Sequence, residues 1–254
     1  MPFLVLIWFS SLFAFSDSDS PVFTDPVAKE ADNMVLKHFP DTAAARHFLL
    51  GRFDPAKHPD FIRLTEQDAI KDFYLQKETA AAFRKMQAAA ADDGISLKIV
   101  SGGRTFQDQK NIWEWKWKEQ KKAGRKDSLD IATRILEYSL MPGTSRHHWG
   151  TDIDINNINN SYFQTSRGMK VYEWLTTHAG EYGFCQVYAD ESGRPGCAIE
   201  KWHWSYLPLA ETYLQIYNSV ITYQDLDQFS GSGQADDLEV ISRYVNGIST
   251  ACRK

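Results

Sequence analysis

Two short segments constrain this chain more than any others. They are Ser145-Arg146-His147-His148-Trp149-Gly150-Thr151-Asp152-Ile153-Asp154 and, later, Glu200-Lys201-Trp202-His203. Together they offer two imidazoles and one carboxylate for a metal ion, with a spare glutamate three residues before the last histidine. Three protein ligands leave a fourth position open for water, the feature that separates catalytic zinc sites from closed structural ones. Zinc lowers the pKa of such a water to about 7, and a nearby carboxylate can then take its proton. No four-cysteine or Cys2His2 spacing competes for the ion. The chemistry implied is hydrolysis.

At 254 residues, with 43% apolar residues and eight tryptophans, the chain can bury one substantial core and is short for two. A net charge of −5 gives no global attraction to nucleic acid. Residues 3–15 form an apolar run too short to span a bilayer comfortably, and it fits the hydrophobic part of a signal peptide better. Ala14 and Ser16 supply small residues for cleavage after residue 16, although the first basic residue is Lys29. The expectation is a signal peptide over 1–16, no stable membrane span in the mature chain, and export to a bacterial periplasm or cell envelope.

Periodicity places the motifs. Phe83, Met86 and Ala90 share one face of a helix over about 77–91, and Ile95, Leu97 and Ile99 then alternate as a strand. That strand delivers the turn Ser101-Gly102-Gly103-Arg104. A second helix runs from about Gln107 to Lys122, with Phe106, Trp113 and Trp117 on one side and lysines elsewhere. It reads as a solvated helix with a buried aromatic stripe. Ile153 and Ile155 alternate with Asp152 and Asp154, the mark of a strand with one apolar face and one face toward a site. Met169–Tyr182 is helical, with His178 on its apolar stripe as a core histidine. Leu209–Ser219 and about Asp236–Ile248 complete the helices.

The combination S-x-H-x6-D followed by E-x-W-H resembles the zinc D-alanyl-D-alanine carboxypeptidases and dipeptidases, which include the vancomycin-resistance carboxypeptidases. In the family pattern S-x-H-x-x-G-x-A-x-D, the fixed places are filled here by Ser145, His147, Gly150 and Asp154. Glu200, Trp202 and His203 match E-x-W-H, and Ser101-Gly102-Gly103-Arg104 is similar to the family's S-G-x-R turn. Trp174-Leu175 to Tyr182-Gly183-Phe184 is similar to the helix and turn between the two zinc motifs. The likeness covers roughly residues 65–210.

This resemblance implies an α+β fold with a central antiparallel sheet and surrounding helices, the D-alanyl-D-alanine metallopeptidase/hedgehog-like fold. It implies a metallopeptidase domain over 65–254 preceded by an extension, 17–64, packed on it. One Zn2+ per chain would be held by His147, Asp154 and His203, with Glu200 as the base, Arg104 binding a substrate carboxylate or oxyanion, and Ser145 hydrogen-bonding substrate. Peptidoglycan stem peptides would be the substrates and D,D-carboxypeptidase activity the reaction. An L,D-carboxypeptidase or an endopeptidase is the enzymatic alternative, and a non-catalytic zinc-holding cell-wall module the alternative of another class.

Two positions depart from the family pattern. Asp152 replaces the usual alanine and, on the same side of the strand as Asp154, is placed to orient a ligand histidine through its second nitrogen. Gly103 stands where many relatives have tyrosine. His148, next to a ligand, is expected behind it or at the surface. A strand through Glu200 and His203 would put them on opposite faces, so a bulge or twist is expected between them. A hairpin centred near residue 191 would face Cys185 with Cys197 and join them in a disulfide, leaving Cys252.

Overall fold

The computed structural model describes residues 26–253, so the apolar run at 3–15 and the expected cleavage site lie outside the described residues. The elements follow in the order α1 (Pro26–His38), α2 (Thr42–Leu49), β1 (Phe61–Arg63), β2 (Tyr74–Gln76), α3 (Lys77–Asp92), β3 (Ile99–Ser101) and α4 (Phe106–Lys122). Then come α5 (Ser128–Leu136), β4 (Asp152–Ile155), α6 (Ser166–His178), β5 (Phe184–Gln186), β6 (His203–Tyr206) and α7 (Leu207–Val220). Strands β3-β4-β6-β5 form a four-stranded sheet in which every pair is antiparallel, while β1 and β2 make a separate ribbon. The chain is therefore α+β, with an antiparallel sheet among helices. Among the described residues no helix is long and apolar enough to cross a membrane.

Alternation along β4 divides the sheet into a dry face and a reactive one. Ile153 pairs with Trp204 of β6, and both join Ile99, Ile155, Phe83 and Met86 of α3, and Leu175 of α6 in one buried cluster. Each fully buried aliphatic or phenyl side chain there contributes roughly 1.5–3 kcal/mol. Asp152 and Asp154 project to the other face, opposite Ser205 and His203. Beyond that face lies a second core built from Trp113 of α4, Ile135 of α5, Trp149, and Ile216 of α7. The candidate site is the polar seam between the two cores.

Helix α4 begins immediately after Arg104 because Thr105 and Asp108 close a capping box: Thr105 Oγ1 accepts from the Asp108 amide, and Asp108 accepts from the Thr105 amide. Phe106, Trp113 and Trp117 are buried as their spacing predicts. The segment ahead of β1 is largely helical and reaches the last helix. Phe48 on α2 packs against Tyr213 of α7 at 5.1 Å, and Arg46 Nε donates to the Val220 carbonyl at 2.7 Å.

Two of the helix expectations fail. No α-helix spans 236–248; residues Ile241–Val245 form a π-helical turn. Glu239 takes a positive φ of 49°, which an α-helix cannot contain, and the Asn246 amide bonds back to Ile241 while its side chain pairs with Asn218. His178 is also no core residue: its ring lies half-exposed beside Trp174, with Nδ1 3.0 Å from Glu181.

Candidate active site

His147 sits on a 3-10 turn, Arg146–Trp149, that ends at Gly150 with φ 70°. A Cβ at Gly150 would overlap the Phe61 ring, so glycine is required both by conformation and by packing. The turn returns His147 to the start of β4, where Asp154 projects from the same face. His203, the first residue of β6, is the cross-strand partner of Asp154. One donor atom from each of His147, Asp154 and His203 lies within 4.8 Å of the others, and all three residues are buried.

The orientations are fixed from behind. His147 Nδ1 donates to the Gly102 carbonyl at 2.8 Å, leaving Nε2 to face Asp154 Oδ1 at 3.4 Å. His203 Nε2 donates to Asp152 Oδ2 at 2.9 Å, leaving Nδ1 to face the same Asp154 oxygen at 3.5 Å. Two ligands placed tetrahedrally at the ~2.0–2.1 Å usual for zinc stand about 3.3 Å apart, so these spacings suit one small ion. His147 Nε2 and Asp154 Oδ1 are buried without a hydrogen-bond partner, a costly arrangement that a bound cation relieves. The donor set fits a metal.

Asp152 is held in turn by Arg146 Nε at 3.0 Å, Ser205 Oγ at 2.6 Å and Thr151 Oγ1 at 2.8 Å. Sequence reading passed over Arg146, which is buried and lies over the Trp149 ring at 4.8 Å. Burial opposes ionisation of Asp152, but Arg146 and His203 more than offset it and keep the carboxyl ionised far below the usual range. Burial likewise opposes charge on His203, whose bonds to Asp152 and Glu200 nevertheless raise its pKa to about 10 when no metal competes for Nδ1.

Glu200 reaches the cluster from a turn, not a strand. The His203 amide bonds to the Glu200 carbonyl, and this turn brings Glu200 Oε2 to 3.2 Å from His203 Nδ1 without any bulge. Asn160 braces the turn on both sides, donating to the Ile199 carbonyl at 2.7 Å and accepting from the Lys201 amide at 3.2 Å. Burial raises the pKa of Glu200, with His203 opposing.

The expected Cys185–Cys197 disulfide is not formed. Cys185 is joined to Cys252, with a Cα separation of 5.7 Å, and Cys197 is a buried free thiol. The reason is topological: β5 pairs with β6, which sets Cys185 opposite Ser205, while residue 197 lies in the turn-rich segment before β6. The side chain of Cys185 therefore points to the C-terminal turn Thr250–Cys252.

Arg104 and Ser145 face the same seam. A cleft of about 840 Å³ is lined by Arg104, Asp154, Glu200 and His203 at its floor, and by Trp115, Lys116, Tyr138 and Ile158 along its walls. A recess of about 40 Å³ behind the floor is bordered by Arg104, Ser145, Tyr188 and Glu200. Gly103 lies against β2: its amide bonds to the Tyr74 carbonyl, and a Cβ would stand 2.3 Å from that oxygen. His148 is buried behind the site, where Nδ1 donates to the Arg104 carbonyl and Nε2 accepts from the Gly143 amide.

A buried His-Asp-His cluster with an adjacent carboxylate at the floor of an open cleft defines a candidate metallohydrolase centre. The VanY family profile, D-alanyl-D-alanine carboxypeptidase, matches residues 72–209, and the chain belongs to that family. A D-alanyl-D-alanine carboxypeptidase of Enterococcus faecalis is 30% identical over 138 residues, 54% of this chain and 49% of the relative. The bifunctional D-Ala-D-Ala dipeptidase and carboxypeptidase VanXYC of Enterococcus gallinarum is 26% identical over 161 residues, 60% of this chain and 74% of the relative. This chain thus spans about half the length of the first relative. Among solved structures, a vancomycin-resistance D,D-pentapeptidase VanY in complex with Zn(II) aligns with 23% identity and a TM-score of 0.48, covering 68% of this chain and 93% of that one.

Proposed function

We propose that this protein is an exported zinc peptidase that removes the C-terminal D-alanine from peptidoglycan stem peptides. The observation that carries the reading is the convergence of His147, Asp154 and His203, with Glu200 Oε2 3.2 Å from His203 Nδ1, at the floor of a cleft that also holds Arg104. Family membership supplies the bond type. Export is supported by the apolar run at 3–15 and by the Cys185–Cys252 disulfide, a bond of oxidising compartments.

His147 Nε2, an Asp154 oxygen and His203 Nδ1 would hold the zinc, which when bound polarises the scissile carbonyl and acidifies water. Glu200 accepts the proton of the attacking water and returns it to the leaving nitrogen. Burial raises its pKa, the direction that suits a group that must both take and give a proton. Arg104 presents a planar guanidinium to the anionic oxygen of substrate, and Ser145 borders the same recess for a hydrogen bond. A pure zinc-holding wall binder has no use for a carboxylate beside the ligand histidine.

The test is to incubate the zinc-loaded protein with muropeptides and identify products by mass spectrometry. Loss of one terminal D-alanine from pentapeptides is expected. Conversion of tetrapeptides to tripeptides would replace the reading by an L,D-carboxypeptidase, and release of cross-linked partners by an endopeptidase. No cleavage by the zinc-loaded chain would refute it.

A further inference from the structure

Glu200 lies outside the sheet, so no strand ladder fixes its backbone. Its amide donates to the Tyr188 carbonyl at 3.0 Å, and its carbonyl accepts from the His203 amide at 3.3 Å. A second donor shares that carbonyl: Gln186 Nε2, at 3.1 Å, from the last position of β5. A carbonyl can only accept, so the amino end of the buried Gln186 amide must face Glu200. Its Oε1 then accepts from the Tyr172 hydroxyl at 2.9 Å, which joins α6 to the base through oriented hydrogen bonds. Neither Tyr172 nor Gln186 lines the cleft or the recess behind it, so their route to the reaction passes through Glu200.

What holds Gln186 comes from the far end of the chain. Strand β5 is an edge strand of three residues, paired with β6 and with no further strand among the described residues. A C-terminal strap supports it instead. Cys252 is bonded to Cys185, next to Gln186, and the Ser249 amide donates to the Val187 carbonyl at 2.8 Å. The same strap is tied to the irregular segment that leads from β5 to Glu200. Glu191 accepts from Ser249 Oγ at 3.0 Å and from the Thr250 amide at 2.9 Å. Arg194 donates to the Gly247 carbonyl at 2.9 Å and to the Cys197 carbonyl at 2.7 Å. The strap lies outside the part of the chain that the family profile matches, which ends at residue 209.

We infer that Gln186 is a positioning residue for Glu200, held in register by the disulfide-anchored strap, so that the C-terminus clamps the base from behind. This rests on the reading of Glu200 as the base and deepens it. Proton transfer needs the carboxylate within hydrogen-bond reach of the attacking water, about 2.6–3.2 Å. Misplacement of a reacting group by about 1 Å can cost about a hundredfold in rate. A bond to the backbone of the base therefore has leverage on turnover while leaving substrate and ion in place.

The test is a double-mutant cycle on zinc-loaded enzyme with a pentapeptide muropeptide. Gln186→Leu, Tyr172→Phe and Cys252→Ser are each made in wild type and in Glu200→Gln. In the wild-type background Gln186→Leu should lower kcat roughly ten- to a hundredfold, with KM and zinc affinity unchanged. Tyr172→Phe, which frees the Gln186 amide to turn, and Cys252→Ser, which frees the strap, should act in the same direction with smaller losses. In the Glu200→Gln background, where no base remains to be positioned, none of the three should slow the residual reaction further. A merely structural role would instead lower zinc content and both backgrounds together. Equal losses in both backgrounds, or wild-type kcat in Gln186→Leu, would overturn the assignment while leaving the peptidase reading intact. Wild-type kcat in Cys252→Ser would overturn the part played by the strap. Should Gln186→Leu fail to fold, Tyr172→Phe decides the same cycle by removing a single oxygen. A wild type that cleaves no pentapeptide would sink the reading on which the inference rests.

Discussion

Asp152 accepts a 2.9 Å hydrogen bond from His203 Nε2, and this one contact decides which nitrogen of His203 faces the metal position. The carboxylate is itself pinned by buried Arg146 at 3.0 Å, so the chain His203–Asp152–Arg146 runs from the site into the interior. Replacing Asp152 with Asn should weaken zinc binding about 10- to 100-fold, the usual cost of losing a group behind a metal ligand. Competition against a chelator measures it. Unchanged affinity would mean that His203 is oriented by other contacts.

His203 itself should be indispensable for the ion. His203→Ala leaves two of the three donors, and metal analysis of the purified variant should find far less than one zinc per chain. Stoichiometric zinc in that variant would disprove the ligand assignment.

Glu200→Gln should retain fold and zinc yet lose roughly 10²–10⁴-fold in turnover, the range of general acid–base catalysis. The amide preserves shape but cannot take a proton. Near wild-type rates on a muropeptide would require another base in the cleft.

The Cys185–Cys252 bond closes a loop of sequence separation 67 and ties the C-terminal turn to the edge strand β5. On the chain-entropy account such a loop is worth about 4 kcal/mol, so Cys252→Ser should lower the unfolding free energy by up to that amount in urea titrations. Peptide mapping without reductant should find Cys185 linked to Cys252 and Cys197 as a thiol. A Cys185–Cys197 peptide would contradict the pairing of β5 with β6 that turns Cys185 toward Cys252.

Most of the candidate site was legible in the sequence because its parts are local. The ten residues from Ser145 to Asp154 contain two ligands, the glycine that turns between them and the strand alternation that aims Asp154. Glu200 and His203 lie within a single turn. What local pattern could not supply was pairing between distant segments. The partner of Cys185 depended on β5 joining β6 in a register that sets it opposite Ser205, and nothing near residue 185 encodes that choice. The place of Arg146 depended on Ser205, 59 positions away, coming beside it. Lys116 read as one lysine on a solvated helix, and only the packing of α4 over the sheet turned it into the wall of a cleft. Sequence determined the reactive groups and their local geometry, because these depend on neighbouring residues and backbone propensity. Tertiary structure decided what stands behind and around them, because burial and long-range register arise only when the two cores close on the seam between them.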